Sequence, residues 1–209
     1  MDGVTLIVDA STYDGSVAVA VDGVLRAERT IAMRGITEER LMPAVAEAVD
    51  EVGGRTVLRR VVCGGGPGSF TSLRIAAGIA KGLCAGLQLP LFGVSSLHLA
   101  VPVLPTGRYV LTMDALRDEV YAAALAWDGT RVVDLAPVRI VATTDLTAYA
   151  DEFGARVEVA APHARAAVSL LDTIIAGGTV DRATWEPTYG RLAEAQVKWE
   201  ATHGRSLTG

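Results

Sequence analysis

The stretch Val4-Thr5-Leu6-Ile7-Val8 is uncharged and almost continuously apolar, so it reads as a strand covered on both faces and central to a sheet. Asp9 ends it, and Ser11-Thr12-Tyr13-Asp14-Gly15 is turn chemistry. Ser16–Val21 and Val24–Ala32 read as two further strands, joined at Asp22-Gly23, a dipeptide that favours a tight hairpin. Leu41, Val45, Val49 and Val52 then recur at helical spacing. They predict a helix from Thr37, its cap, to the stop at Gly53-Gly54; the capping box is incomplete, because Arg40 stands where Glu would close it. Val57–Cys63 is another apolar strand, Gly64–Gly68 a tight loop, Ser69–Gly86 a second helix and Pro90–Val94 a third buried strand. Ser95 or Ser96 caps a short helix that should stop before Pro102. A strand buried on both faces needs helices packed on its sheet, and this order supplies them, so the fold class is α/β.

Pro102, Pro105 and Gly107 interrupt the pattern and suggest a boundary between an N-terminal lobe, 1–103, and a smaller, less regular C-terminal lobe, 104–209. The second half predicts strands at Tyr109–Met113, Glu119–Trp127, Arg131–Val141 and Val157–Ala160. It also predicts helices at Leu146–Phe153 and His163–Ile175, and weak periodicity after Gly178. With 50% apolar and 21% charged residues, the 209-residue chain is excluded from the disordered class. No apolar run approaches the roughly 20 residues of a membrane span. The acidic start Met1-Asp2-Gly3-Val4 is unlike a signal peptide, so the expected location is the cytoplasm. A net charge of -5 argues against tight nucleic-acid binding by this chain alone, and Arg55, Arg59 and Arg60 read as a solvated face. The tail Gly204–Gly209 is expected to be disordered.

The Gly64–Gly68 loop joins a strand to a helix, a geometry that can present N–H groups to an anion. It is no P-loop, since Ser69-Phe70-Thr71 follows it, and Ser69 holds the place of the last glycine in a dinucleotide fingerprint. Asp9 with Ser11 and Thr12 could hold a metal-phosphate or simply cap a turn. His98, His163 and His203 pair with no other histidine at metal-ligand spacing. Cys63 and Cys84 read as small buried hydrophobes. Asp114, Arg117, Asp118 and Glu119 read as a solvated turn. Gly78 and Gly82 share one face of the second helix, which suits either close packing inside the chain or contact with another helix.

Gly66-Pro67-Gly68-Ser69-Phe70-Thr71-Ser72-Leu73-Arg74-Ile75, with Ala80-Lys81-Gly82-Leu83 behind it, resembles the signature of the TsaB (YeaZ) family, GPGSFTGLRIG followed by AKGLA. Ser72 and Ala76 replace its glycines. Leu6–Thr12 resembles the family's opening IDTST strand and turn. Glu39-Arg40-Leu41-Met42-Pro43 resembles HSERLLP, with Thr37 in place of its His. Asp114-Ala115-Leu116-Arg117-Asp118-Glu119-Val120-Tyr121 resembles DARRGEVY. Glu186-Pro187-Thr188-Tyr189-Gly190-Arg191, with Glu194-Ala195, resembles PxYLR and the EA behind it.

The resemblance implies an actin-like ATPase (RNase H-like) fold: two small lobes with mixed central sheets and flanking helices. It implies a part in making threonylcarbamoyladenosine in tRNA, at the adenosine next to the anticodon. The catalytic transfer would belong to the TsaD paralogue, with this chain as its non-catalytic heterodimer partner, a homodimer when alone, joined in a larger complex by the TsaE ATPase, and meeting tRNA only through that complex. Ser96 and Ala100 stand where the paralogue's metal-binding HxxxH would be, so neither a catalytic residue nor a metal ligand is expected here. The expected partner interface comprises Leu41, Val45, Val49, Leu73, Arg74, Gly78, Lys81 and Gly82. Asp9, Ser11, Thr12, Gly66, Gly68 and Ser69 would be a vestigial phosphate site, with no cofactor beyond a weak or partner-shared ATP or ADP. The alternative is an ATP-dependent transferase acting on its own through Asp9 and the Gly64–Gly68 loop.

Overall fold

The computed structural model describes residues 3–33, 40–189 and Thr202. Thr37, Glu39, Gly190, Arg191, Glu194, Ala195, His203 and the tail 204–209 lie outside the described residues.

Strand β1 (Val4–Asp9) is buried at every position and lies at the centre of a five-stranded sheet. It pairs antiparallel with β2 (Asp14–Val21) and parallel with β4 (Leu58–Gly64). With β3 (Val24–Ala32) and β5 (Leu91–Val94) the order is β3-β2-β1-β4-β5. Asp22 and Gly23 turn the first hairpin with φ 51° and 78°, the left-handed pair that matches the twist of the flanking strands.

Helices α1 (Leu41–Asp50) and α2 (Phe70–Leu87) cover one face of this sheet. Leu41, Val45 and Val49 of α1 and Ala76, Ala80 and Cys84 of α2 share a buried cluster with Leu6 and Val8 of β1. Helix α1 starts at Leu41, with Arg40 as its cap residue.

The opposite face, Ile7, Ala18, Ala20 and Val62, shares one core with the second sheet. That sheet contains β6 (Gly107–Asp114), β7 (Glu119–Trp127), β8 (Val132–Asp134), β9 (Arg139–Ala142) and β10 (Arg156–Val159), in the order β10-β6-β7-β8, with β9 also on β7. Tyr109, Leu111 and Leu125 are its fully buried contribution to the shared core. Helix α3 (Leu146–Asp151) lies on the far side with Tyr149 against Val110 and Ala122. Two 3₁₀ helices, Ser96–Val103 and Ala164–Leu170, fill the space between the sheets. Ser16 Oγ accepts from the Ala164 N–H at 2.9 Å and fastens the second of them to β2.

Four expectations need correction. The predicted strand Arg131–Val141 is two short strands, β8 and β9, both on β7. Pro137 lies between them and, lacking an N–H, cannot continue a ladder. The helix after Ser95 runs through Pro102 to Val103; it is 3₁₀, and Leu104 closes it by bonding Val101 O, so the missing proline donor sits in the last turn. The helix predicted at His163–Ile175 begins as 3₁₀ and becomes α4 only at Leu171–Ala176. Helix α2, at 18 residues and mean hydropathy 1.2, is by length and composition alone long and apolar enough to cross a membrane, contrary to the expectation that no run is; its inner side lies on the sheet.

Candidate functional site

Asp9 sits at the C-terminal end of β1 with no exposed surface. Its Oδ1 accepts from the Ser11 N–H (3.1 Å) and Ser11 Oγ–H (2.8 Å), and its Oδ2 accepts from Ser96 Oγ–H (2.6 Å). Ser96 Oγ in turn accepts from the Gly66 N–H at 2.9 Å. Burial pushes the Asp9 carboxyl above its ordinary range, and the three donors oppose that push. Only glycine fits at position 64, because a Cβ there would collide with the Asp9 carboxylate.

The glycine loop uses its backbone donors inwards. Gly65 N–H donates to Val94 O (2.7 Å), Gly66 N–H to Ser96, and Ser69 N–H to Ser11 O (2.8 Å). Gly68 has φ 154° and lies so close to Ser11 that any side chain would overlap the Ser11 carbonyl. Thr12 Oγ1 donates to Asp14 O at 2.9 Å, and Ser69 Oγ pairs with Ser72 Oγ at 3.0 Å. Asp9, Ser11, Gly66 and Ser69 are thus joined through Ser96 and Ser11, and Ser11, Thr12, Gly68 and Ser69 line one cleft. A phosphate cradle needs unspent N–H groups; those of Ser11, Gly65, Gly66 and Ser69 are engaged inside the chain.

No cluster of three or more His, Cys, Asp or Glu with metal-holding geometry occurs among the described residues. His98 Nε2 lies 2.8 Å from Asp134 Oδ1, and that bond holds the Asp134 carboxyl below its usual range. Burial pushes both thiols up, Cys84 to about 11, which suits small buried hydrophobes.

The eight residues expected at the partner interface divide. Leu41, Val45, Val49 and Leu73 are at most 4% exposed and belong to this chain's own core, a correction to the expected outward stripe. The reason is that an amphipathic helix buries its larger apolar side chains against the nearest sheet. Lys81 is bound within the chain, its Nζ 2.7 Å from Glu186 Oε1. Arg74, Gly78 and Gly82 do lie on the outward face of α2. A Cβ added at Gly78, Gly82 or Gly86 would meet nothing within 4 Å. The outward face thus has open space over its glycines, with exposed Thr71 and Arg74 at its N-terminal end.

Among known proteins, residues 35–180 match the family model described as TsaD: tRNA N6-adenosine threonylcarbamoyltransferase. The tRNA threonylcarbamoyladenosine biosynthesis protein TsaB of Escherichia coli (strain K12) is 40% identical over 93 residues, 44% of this chain and 40% of that protein. The protein of the same name from Haemophilus influenzae is 33% identical over 137 residues, 63% of this chain and 58% of that one. The chain belongs to the TsaB (YeaZ) family. It spans about half the length of the curated relatives it matches. A Pseudomonas aeruginosa crystal structure, described as an uncharacterized protein with similarity to peptidase YeaZ, superposes with TM-score 0.78 at 24% identity, covering 91% of this chain and 100% of that one. A second, YeaZ from Pseudomonas aeruginosa, gives TM-score 0.74 at 24% identity over 88% of this chain and 100% of that one. The fold is that of these YeaZ structures, a mixed α/β arrangement of two sheets with flanking helices.

Where TsaB-family sequences carry glycine in the DARRGEVY segment, this chain has Asp118, and the backbone shows what that glycine is for. Leu116, Arg117 and Asp118 have φ 63°, 60° and 58°, three successive non-glycine residues in the left-handed region. Each such residue costs about 1–2 kcal/mol, less for Asp, which tolerates that region. Asp114 Oδ1 accepts from the Leu116 N–H (2.8 Å), and Asp118 O accepts from the Thr143 N–H (2.9 Å), which holds the turn. The turn walls a cleft of about 770 Å³ between the two sheets, with Phe70, Met113, Tyr121 and Tyr189 among its lining. The sequence reads Asp114–Glu119 as a solvated turn, although Ser11, Thr12, Gly68 and Ser69, expected as a phosphate site, line the same cleft. The usable signal was a sharp strand connection with its glycine replaced.

Sequence reasoning missed the return of residues 180–189 onto the first sheet. Val180 N–H bonds Leu91 O, Thr188 N–H bonds Gly65 O, and the Tyr189 ring lies 4.6 Å from that of Phe70. The signal there was aromatic: Trp185 and Tyr189 punctuate a stretch with no period.

Proposed function

We propose that this chain acts in tRNA threonylcarbamoyladenosine biosynthesis as a non-catalytic subunit, pairing with a TsaD-type paralogue through the outward face of α2. The observation that carries the reading is the open space over Gly78 and Gly82 on an otherwise apolar helix. Small residues let a second helix approach closely. The inward bonding of Asp9, Gly65, Gly66 and Ser69 supports the same reading, since it engages part of the chain's own phosphate motif. The Leu41, Val45, Val49 stripe contributes indirectly, by seating α1 beside α2 on the sheet.

The test is size-exclusion chromatography of this chain with the TsaD paralogue from the same source, assaying threonylcarbamoyl transfer to tRNA in each fraction. Activity is expected only where both chains co-elute. Gly78→Trp projects into open space, so it should leave the monomer folded and abolish co-elution. Wild-type pairing by Gly78→Trp, or full activity of the paralogue alone, refutes the reading. An ATP-dependent activity of the isolated chain that is lost in Asp9→Ala would replace it.

A further inference from the structure

The cleft between the sheets is separate from the outward face of α2; Ser11, Thr12, Gly68 and Ser69 form one end of it and the Asp114–Glu119 segment another. Its volume, about 770 Å³, is in the range of small-molecule sites. The lining is largely apolar and aromatic, with Phe70, Met113, Tyr121 and Tyr189 prominent. Two residues of the strained turn add opposite charges to this lining. Asp114 uses Oδ1 to hold the Leu116 N–H, and Arg117 makes no hydrogen bond or ion pair among the described residues. The two are therefore not spent on each other, and both line the cleft wall, Asp114 at the end of β6 and Arg117 within the left-handed run. Left-handed runs of non-glycine residues persist where the surroundings over-determine them, often at ligand clamps.

The charges select the ligand class. At the Asp114–Glu119 wall a phosphate would meet two carboxylates and a simple cation would meet Arg117, while the Ser11, Thr12 and Ser69 end of the same cleft is neutral. A zwitterion on an apolar stem satisfies both signs and the apolar lining together. We infer that the cleft binds an apolar α-amino acid, its carboxylate on the Arg117 guanidinium, its ammonium on Asp114 and its side chain among Phe70, Met113 and Tyr189. The fork of Arg117 suits a carboxylate bidentately. This inference does not rest on pairing with a TsaD-type partner.

The experiment is isothermal titration of the full chain with L-phenylalanine, with 3-phenylpropionate (anion only) and with L-phenylalaninamide (cation only). L-phenylalanine should bind one saturable site with a Kd of about 1 mM or tighter, and each single-charge probe should bind about tenfold more weakly or worse. Arg117→Ala should weaken L-phenylalanine about tenfold and leave the amide unchanged. Asp114→Asn keeps an acceptor for the Leu116 N–H while removing the charge, and it should show the converse pattern. Absence of saturation by L-phenylalanine overturns the proposal. So does equal binding of all three probes, which would mean apolar partition only, or unchanged affinity in Arg117→Ala.

Discussion

Ser96 is the residue on which the buried end of β1 depends most directly. Its hydroxyl donates to Asp9 Oδ2 and accepts from Gly66 N–H, both inside the protein. Ser96→Ala would strand a carboxylate oxygen and an N–H without water to replace the bonds. Urea denaturation of the isolated chain is expected to show a loss of about 2–3 kcal/mol. A loss below about 0.5 kcal/mol would show that the relay contributes nothing net. Asp118 is the opposite case, a residue whose own backbone works against it. Asp118→Gly should add about 0.5–1 kcal/mol after the entropy of the unfolded glycine is counted, raising the melting temperature by about 2–3 °C. An unchanged or lower melting temperature would show that Asp118 bears no strain.

At the scale of elements, the sequence placed α2 within a residue at each end, because its helical period is long and its flanks are glycine and Leu-Gln-Leu-Pro. It did not say which face looked outward. Leu41, Val45 and Val49 have the same spacing whether they meet a sheet or another protein, and burial shows that they meet the sheet. The glycines of α2 then become a prediction about the helix itself. A Cβ at Gly78 or Gly82 meets no neighbour, so Gly78→Ala and Gly82→Ala should each stabilise the isolated chain by up to about 1 kcal/mol through helix propensity. Thermal unfolding at low protein concentration measures this; destabilisation would mean that the face is already covered within the chain. The short second-half elements were harder to read. A turn or two of 3₁₀ helix and of α-helix carry similar apolar patterns, and only hydrogen bonding separates them.

For the whole molecule, the region around His163 joins the two halves. Its Nδ1 accepts from the Arg165 N–H at 3.2 Å and caps the 3₁₀ helix, so Nε2 carries the proton and donates to Thr30 Oγ1 at 3.1 Å. Its neighbour Ala164 is bound to Ser16 of β2. Burial, helped by Arg165, holds the imidazole below its ordinary pKa of 6.5, against the pull of Glu28 and Asp9. The unfolded chain therefore takes up the proton first. This contribution to stability is complete above pH 6.5 and is lost as pH falls below it towards the folded value. Asp9, raised by burial, has the reverse sign, but over a window that begins near its ordinary 3.8. His163→Asn keeps a capping acceptor without the titration. Between about pH 5 and 7 the wild-type melting temperature should drop on acidification relative to the variant's, since the Asp9 contribution is common to both. Equal slopes would remove His163 from the account.

Consecutive residues determined the central strand, the Asp22-Gly23 hairpin, the glycine loop and the long helix. Two-sided burial, turn dihedrals and helical period are all local properties of the chain. The loop signature also carried the family. Whether Asp9 faces a ligand or is closed off was decided only in three dimensions, because its partner Ser96 lies 87 positions away. The same holds for the cleft, whose walls come from the ends of β1, α2, β6, β7, β9 and β10 together with Tyr189. A site assembled from segments that far apart leaves no spacing in the sequence. It exists only once packing has brought the two sheets onto one core.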